Sequence, residues 1–447
     1  MSVIPGKCAS SRDEIGLTYL AGKNRIDRQT RGKFIMLARF SLYGFLKNQC
    51  YYEPFMILLF LERGFSFTQI GLLVAFREIC INLFEVPSGA LADMYGRRRC
   101  MMLSFTSYII SFALFGSVKI YVSFFAAMFF FAIGEAFRTG THKAMIFTWL
   151  RLQGRLDEKT RVYGFTRSWS KLGSAFSVLV AALFVIVTES YSSVFYLSIA
   201  PYVLGIINFM QYPSELEGKI QGKITLRGVF DNLWSTLKMS LQIRHLRRLI
   251  VESMAFEGVF NAAKDYLQPV IKGMALALPL FVYMEDTRRS AIIVGVVYFI
   301  LHLLSAWASR KSHRIPHRAG GEEQGAARIW KGALVVYLLL TIILYMKWYY
   351  LAIVGFILLY VMQNLWRPIL ISRFDAYATE TRGATLLSIE SQAKSASTAL
   401  VAPILGIAVD FVTTRGLGGG FWPVAAAGAG IALIILATDH LHRRQWP

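Results

Sequence analysis

Charge is scarce in this chain. Asp, Glu, Lys and Arg together supply 17% of its 447 residues. A soluble chain of this length would form two or three domains, and their surfaces would need more charge than that. Cysteine is scarcer still. Cys8, Cys50, Cys80 and Cys100 are scattered, without metal-ligand spacing or a disulfide-like pattern. No metal site and no redox chemistry is therefore expected. No nucleotide-binding P-loop, HExxH helix, nucleophile elbow or paired-carboxylate loop occurs, so neither a cofactor nor an enzymatic activity is expected. The first 33 residues carry seven Lys/Arg and no apolar core. They read as a cytoplasmic tail, not as a cleavable signal peptide.

What the chain has is hydrophobicity. Apolar residues make up 55% of it, and the mean hydropathy is +0.47. They gather in blocks of about 20, the length that crosses a hydrocarbon core. Twelve spans are predicted, at residues 34–61, 68–92, 99–118, 121–149, 162–188, 191–211, 246–276, 290–309, 328–346, 348–371, 384–413 and 420–438. The expected fold class is an all-α integral membrane protein. The expected organisation is a tail (1–33), a six-helix bundle (34–211), a cytoplasmic central loop (212–245), a second six-helix bundle (246–438) and a tail (439–447). Parts of the central loop read as amphipathic and interfacial.

Charge sets the orientation. The net charge is +21, which in a soluble protein would point to nucleic acid. Here the Lys and Arg alternate with the spans. Both tails and every second connection hold about 30 of them, and the opposite connections hold about six: Arg63, Lys119, Arg288, Arg289, Lys347 and Arg415. The basic side is cytoplasmic by this bias, and no nucleic-acid partner is expected. The lipid bilayer is the large partner, and the chain reads as a monomer in a bacterial inner membrane with both termini inside.

The halves are faintly self-similar. A shift of 215 places Tyr51 on Tyr266 and Pro54 on Pro269. A shift of 223 places Ser168, Lys171 and Ser174 on Ser391, Lys394 and Ser397, and a shift of 229 places Arg138 on Arg367. These are the span pairs that a six-plus-six duplication requires, a common way to build transporters.

The strongest motif joins the second and third spans: Ser88-Gly-Ala-Leu-Ala-Asp93-Met-Tyr-Gly96-Arg97-Arg98-Arg99. Gly89 permits close helix approach. Asp93 lies at a helix end, where a carboxylate pairs with a neighbouring helix N-terminus or a base. Gly96 suits the tight turn, and Arg97 and Arg98 stay at the interface. This segment resembles the loop signature of the major facilitator superfamily, G-x-x-x-D-[RK]-x-G-R-[RK], with Met94 where a base is usual. Glu62–Gly71, Glu85–Ala90 and Ala402–Asp410 also resemble that superfamily, so the resemblance covers about residues 34–438. It implies two six-helix bundles related by a pseudo-two-fold axis, alternating access, and a cytoplasmic latch at Gly89, Asp93, Gly96, Arg97 and Arg98. The second-half counterpart, Ser305–Lys311, lacks the Asp and Gly, so the latch is expected to be asymmetric. The Gly-Pro motif of many drug exporters is absent from the fifth span, which weighs against drug/proton antiport.

Ionisable residues at membrane depth are costly, so they face protein or water and are functional candidates. Helical spacing groups Lys47 with Tyr51, Glu135 with Arg138 and His142, Glu257 with Asn261 and Lys264, Asn364 with Arg367, and Glu390 with Lys394. The resemblance assigns the first, fourth, seventh and tenth helices to the cavity. Lys47, Tyr51, Glu135, Arg138, His142, Glu257, Asn261, Lys264, Asn364 and Arg367 are the substrate-binding candidates on those helices, Lys394 of the eleventh span joins them as one of the buried bases, and Glu135 and Glu257 are the proton-coupling groups. The bland alternative makes the same charges structural ion pairs. Bases outnumber carboxylates modestly, which favours a small anionic substrate. The expected function is secondary active transport of an anionic metabolite with protons as coupling ion. Multidrug efflux is the alternative, and a non-transporting sensor or scaffold of the same fold is the alternative from another class.

Overall fold

In the computed structural model, described residues are 34–139, 141–155, 158–217, 226–279, 283–377 and 383–444. Among them the chain is helical, with no strand. The first half contains α1 (Phe34–Leu46), α2 (Met56–Glu62), α3 (Phe67–Tyr95), α4 (Arg97–Ser117), α5 (Tyr121–Arg138), α6 (Thr141–Leu152), α7 (Lys159–Thr188) and α8 (Ser193–Met210). Helix α9 (Leu226–Gln242) follows, and packs on α3, α10 and α17 at the basic end. The second half contains α10 (Arg244–Ser253), α11 (Val259–Ala263), α12 (Leu267–Ala277), α13 (Asp286–Lys311), α14 (Arg314–Ala319), α15 (Glu322–Tyr345), α16 (Tyr349–Asp375), α17 (Gly383–Thr414) and α18 (Trp422–Arg444).

Every predicted span has a helical counterpart, and eight spans are long and apolar enough by themselves to cross a bilayer. Leu72, Ile79 and Leu83 of α3 and Val335, Leu339 and Ile342 of α15 stand exposed along single faces. An apolar surface of that extent belongs in lipid. The chain is a multi-pass membrane protein.

Two helix pairs join the halves: α3 lies along α17, and α7 along α13. Small residues permit both contacts. A Cβ on Gly71 would sit 2.8 Å from Pro403 Cα, and one on Gly295 would sit 2.7 Å from Ala182 Cβ. Gly89 does not act this way. A Cβ there would meet nothing within 4 Å, so the close approach expected at Gly89 is made by Gly71 instead.

Local chemistry sets the helix ends. Ser66 and Gln69 form a reciprocal capping box at the start of α3. Gly96, at φ +98°, turns the chain directly from α3 into α4. That region of backbone space is open to glycine and strained for other residues.

Candidate functional site

The first, fourth and seventh spans were expected as continuous helices. All three are broken, and the breaks have local causes. The first span is interrupted from Lys47 to Tyr52 and resumes through a short 3-10 turn, Glu53–Phe55. Pro54 disfavours helix at the residue before it and lacks an N–H donor. The fourth span breaks after Arg138, where Thr139 is extended (ψ 125°). Thr139 Oγ1 and Thr141 Oγ1 donate to the carbonyls of Glu135 and Phe137, at 3.0 and 3.1 Å, and the Thr139 N–H still reaches the Glu135 carbonyl at 3.2 Å. The seventh span contains a π-helical turn (Met254–Gly258) and a 3-10 turn (Lys264–Tyr266) just before Pro269. The tenth span, α16, stays helical, but Pro368 withdraws the N–H that the Asn364 carbonyl would accept. Discontinuous helices near the midplane are where transporters of repeated architecture build their sites.

The breaks of the first and seventh spans touch. Gln268 Nε2 donates to the Glu53 carbonyl at 2.8 Å, and Gln268 Oε1 accepts from the Ile57 N–H at 2.8 Å. Glu53 and Gln268 are equivalent under the 215-residue shift, so the contact sits on the pseudo-symmetry relation itself.

Two arginines anchor the buried charge. In the first half, Arg138 pairs with Glu135 at 2.5 Å, and Tyr108 OH also donates to Glu135. In the second half, Arg367 is held bidentately by Glu390 at 2.5 and 2.9 Å and lies 3.9 Å from Glu257. Ser253 Oγ donates to Glu390 at 2.6 Å, and Gln363 Nε2 to Glu257 at 3.3 Å. Glu257 is only 3% exposed, and its second oxygen has no protein donor. Its presence in the π-helical turn explains the geometry: the extra residue in that turn re-aims the side chain toward α16. Glu390 was visible in the sequence on a stripe with Lys394. Its partner on another helix was not.

The first-half cavity has a volume of ≈ 320 Å³ and lies between α1, α6 and α7. Its walls include Lys47, Asn48, His142, Thr166, Arg167 and Ser174. His142 stacks on Tyr43 with ring centroids 3.7 Å apart, and its Nε2 lies 3.3 Å from Tyr212 OH. Lys47 Nζ stands over the Tyr43 ring at 5.4 Å.

The remaining candidates are dispersed. Lys264 lies 3.9 Å from Glu53, toward the end opposite the basic connections. Asn364 turns back onto its own helix at the Tyr360 carbonyl, 2.9 Å away. Tyr51 is packed into the core at 9% exposure. Asn261 and Lys394 are half-buried. In the loop motif, Arg97 donates to Thr148 Oγ1 at 2.8 Å, and Arg98 reaches Glu217 at 3.0 Å and the Tyr212 carbonyl at 3.0 Å. Thr148 lies in α6, and Tyr212 and Glu217 lie just after α8, so these contacts tie α4 to the first bundle and to the start of the central loop. The Asp93 side chain lies outside the described residues. A network that sequence reading missed joins α10, α15 and α16 at the basic end: Arg373, 4% exposed on its side chain, pairs with Glu252 at 2.6 Å and Glu323 at 2.8 Å, and Arg248 pairs with Glu252 at 2.8 Å.

At the far end the halves are fastened. Asp410 of α17 accepts the Phe67 and Thr68 N–H groups at 3.0 and 2.8 Å. Arg288 of α13 pairs with Glu189, which follows α7. Deeper, Asn82 Nδ2 reaches the Gln392 carbonyl at 3.2 Å.

Comparisons place this architecture. The family model described as Major Facilitator Superfamily matches residues 35–400. A curated Bacillus subtilis (strain 168) protein, the uncharacterized MFS-type transporter YxaM, is 32% identical over 99 residues, covering 22% of this chain. The match spans about a quarter (24%) of that relative's length. Similar solved structures include the nucleoside transporter NupG (TM-score 0.70, 12% identity, 91% of this chain and 97% of that one). They also include a D-xylose-proton symporter (TM-score 0.63, 13% identity, 90% and 97%). A bacterial homolog to the human lysosomal transporter Spinster, in an inward-facing and occupied conformation, is a third (TM-score 0.65, 12% identity, 92% and 97%). At these identities the solved structures show the fold alone. With 366 consecutive residues inside the family model and the same fold across nine-tenths of its length, the chain belongs to the Major Facilitator Superfamily of membrane transporters.

Proposed function

We propose that the chain is a secondary active transporter that moves a small anionic solute together with a proton by alternating access. Residues 34–211 and 246–438 rock as two six-helix bodies about the broken helices, and 212–245 connects them. The fastened far end and the polar cavity in the first half support an inward-facing state. The charge bias of the connections supports a cytoplasmic basic end and cytoplasmic termini in a bacterial inner membrane. A monomer suffices, because both bodies lie in one chain.

The carrying observation is that Arg367 faces two carboxylates. Glu390 holds it bidentately, and Glu257 stands off at 3.9 Å. Glu257 can therefore take a proton without leaving Arg367 unpaired. Lys394, Gln363 and Glu390 are the other polar groups around Glu257. With Glu257 neutral, Arg367 keeps Glu390 as its partner, and the surroundings of Arg367 and Lys394 gain one unit of positive charge. An anion entering between the two halves restores balance, and that is the coupling. Glu135 is less suited to the role, since among the described residues it is the only carboxylate paired with Arg138.

A ligand-stability screen of the purified protein tests the reading. Anionic metabolites are expected to raise its melting temperature, more strongly at acid pH. A response confined to cations or neutral drugs would remove the anion assignment.

A further inference from the structure

The cavity between α1, α6 and α7 has a chemistry of its own. Lys47 and Arg167 line it, and among the described residues no carboxylate does. Neither cation makes an ion pair within 4 Å among the described residues, in contrast to Arg138 and Arg367, which are paired already. Two positive charges therefore face one space of ≈ 320 Å³ with no carboxylate among its described lining residues. That volume lies at the small end of ligand sites, which begin at about 300 Å³.

The neutral polar groups are selective in a second sense. Thr166 Oγ1 donates to the Tyr163 carbonyl at 2.9 Å, and Ser174 Oγ to the Ser170 carbonyl at 3.2 Å. Asn48 Nδ2 donates to the Gly44 carbonyl at 2.9 Å. Each group has committed a donor to its own helix, so each offers the cavity an oxygen lone pair. His142 follows the same pattern. Tyr212 OH donates to the Arg39 carbonyl at 3.3 Å, so it accepts from His142 Nε2. Nδ1 of the neutral ring then carries the free lone pair. The wall thus combines a set of acceptors with two cations that make no ion pair among the described residues. Gly44 holds it together: a Cβ there would sit 2.8 Å from the Thr166 carbonyl and 3.0 Å from Ser170 Oγ, so only glycine lets α1 lie this close to α7.

We infer that this first-half cavity is a binding site for a small polyhydroxylated dianion, such as a phosphorylated polyol. Lys47 and Arg167 take the doubly charged group, which a phosphate monoester carries near neutrality. The ligand's hydroxyls donate to Thr166, Ser174 and Asn48. This assignment rests on the anionic reading above and gives it a place and a chemical class.

The test uses the full chain in detergent and four probes: sorbitol, inorganic phosphate, gluconate and sorbitol 6-phosphate. Binding is read by calorimetry and by thermal shift. Sorbitol 6-phosphate is expected to bind at least tenfold more tightly than any of the other three. Lys47→Ala and Arg167→Ala should each weaken it at least tenfold, Lys47→Arg should recover most of the loss, and Arg415→Ala should change nothing. Unliganded melting temperatures and size-exclusion profiles confirm that the variants are folded. If inorganic phosphate binds as well as the ester, or if both alanine variants bind as the parent does, the assignment is overturned. Should gluconate or phosphate still bind the parent in that case, the anionic reading survives the failure of the site. Should no anion bind while cationic solutes do, the anionic reading itself falls.

Discussion

Asp410 Oδ2 accepts the backbone N–H of Thr68 at 2.8 Å, across the boundary between the two halves of the molecule. Its other oxygen takes the Phe67 N–H at 3.0 Å, while Ser66 supplies the remaining cap of α3. A carboxylate at the C-terminal end of α17 thus satisfies donors at the N-terminus of α3, where the helix dipole also favours it. Because α3 and α17 run antiparallel, Asp93 occupies the reciprocal position, near the C-terminal end of α3.

Removing the far-end clasp should open it. Charge-assisted hydrogen bonds contribute about 1.5–3 kcal/mol, so Asp410→Ala is expected to shift the equilibrium toward the outward-open state by roughly thirtyfold, at 1.4 kcal/mol per decade. Spin-label distances between the far ends of α7 and α13 would report a longer population. An unchanged distance distribution would show that the clasp carries no conformational energy.

Gly71 should tolerate no side chain. Gly71→Val is expected to block closure of the far end, because its Cβ would sit 2.8 Å from Pro403 Cα, an atom of the backbone with little room to move. Flux should fall at least tenfold, with far-end cysteine accessibility rising to match. Gly89→Ala, placed in open space, should leave both readouts near the parent values.

Gln268 joins the two broken helices, and Gln268→Leu leaves the Ile57 N–H without its acceptor. An unsatisfied buried donor costs about 1–3 kcal/mol. The melting temperature should fall measurably, and more than for Asn364→Leu, because Asn364 bonds only within its own helix. Equal losses would indicate that the contact between the breaks is dispensable.

Glu257 and Glu390 should behave differently. Glu257→Gln mimics the protonated state and keeps Arg367 paired, so counterflow exchange should persist without response to pH. Glu390→Gln removes the negative charge and puts an NH2 donor facing Arg367 in place of one of the two oxygens that Arg367 and Ser253 share, and should lower thermal stability by about 1–3 kcal/mol. Loss of counterflow in Glu257→Gln, with stability intact, would place Glu257 in substrate binding instead of coupling.

Much of the fold was legible because lipid imposes simple rules. Apolar length located the spans, alternating charge ordered them, and the loop around Gly96 matched a known signature. The breaks in the first, fourth and seventh spans were not legible. An apolar window averages over Pro54, Thr139 and Pro269, and the π-helical turn at Glu257 leaves the sequence period nearly unchanged. Pairing was also hidden. Arg138 and Glu135 share one helix at i, i+3 spacing, so their contact could be read. Arg367 meets Glu390 only after α16 and α17 pack, and Asp410 meets Thr68 only after the halves close. Gly89 misled, because a glycine in an apolar helix suggests close packing whether or not a neighbour arrives.

The most direct measurement is uptake of a labelled hydroxylated anion into proteoliposomes, with and without an acid exterior, for the parent and for Glu257→Gln. The account predicts that the proton gradient accelerates uptake by the parent at least tenfold, that a protonophore removes the gain, and that Glu257→Gln shows none. Uptake that ignores the gradient in the parent, or a gradient response that survives in Glu257→Gln, would contradict it.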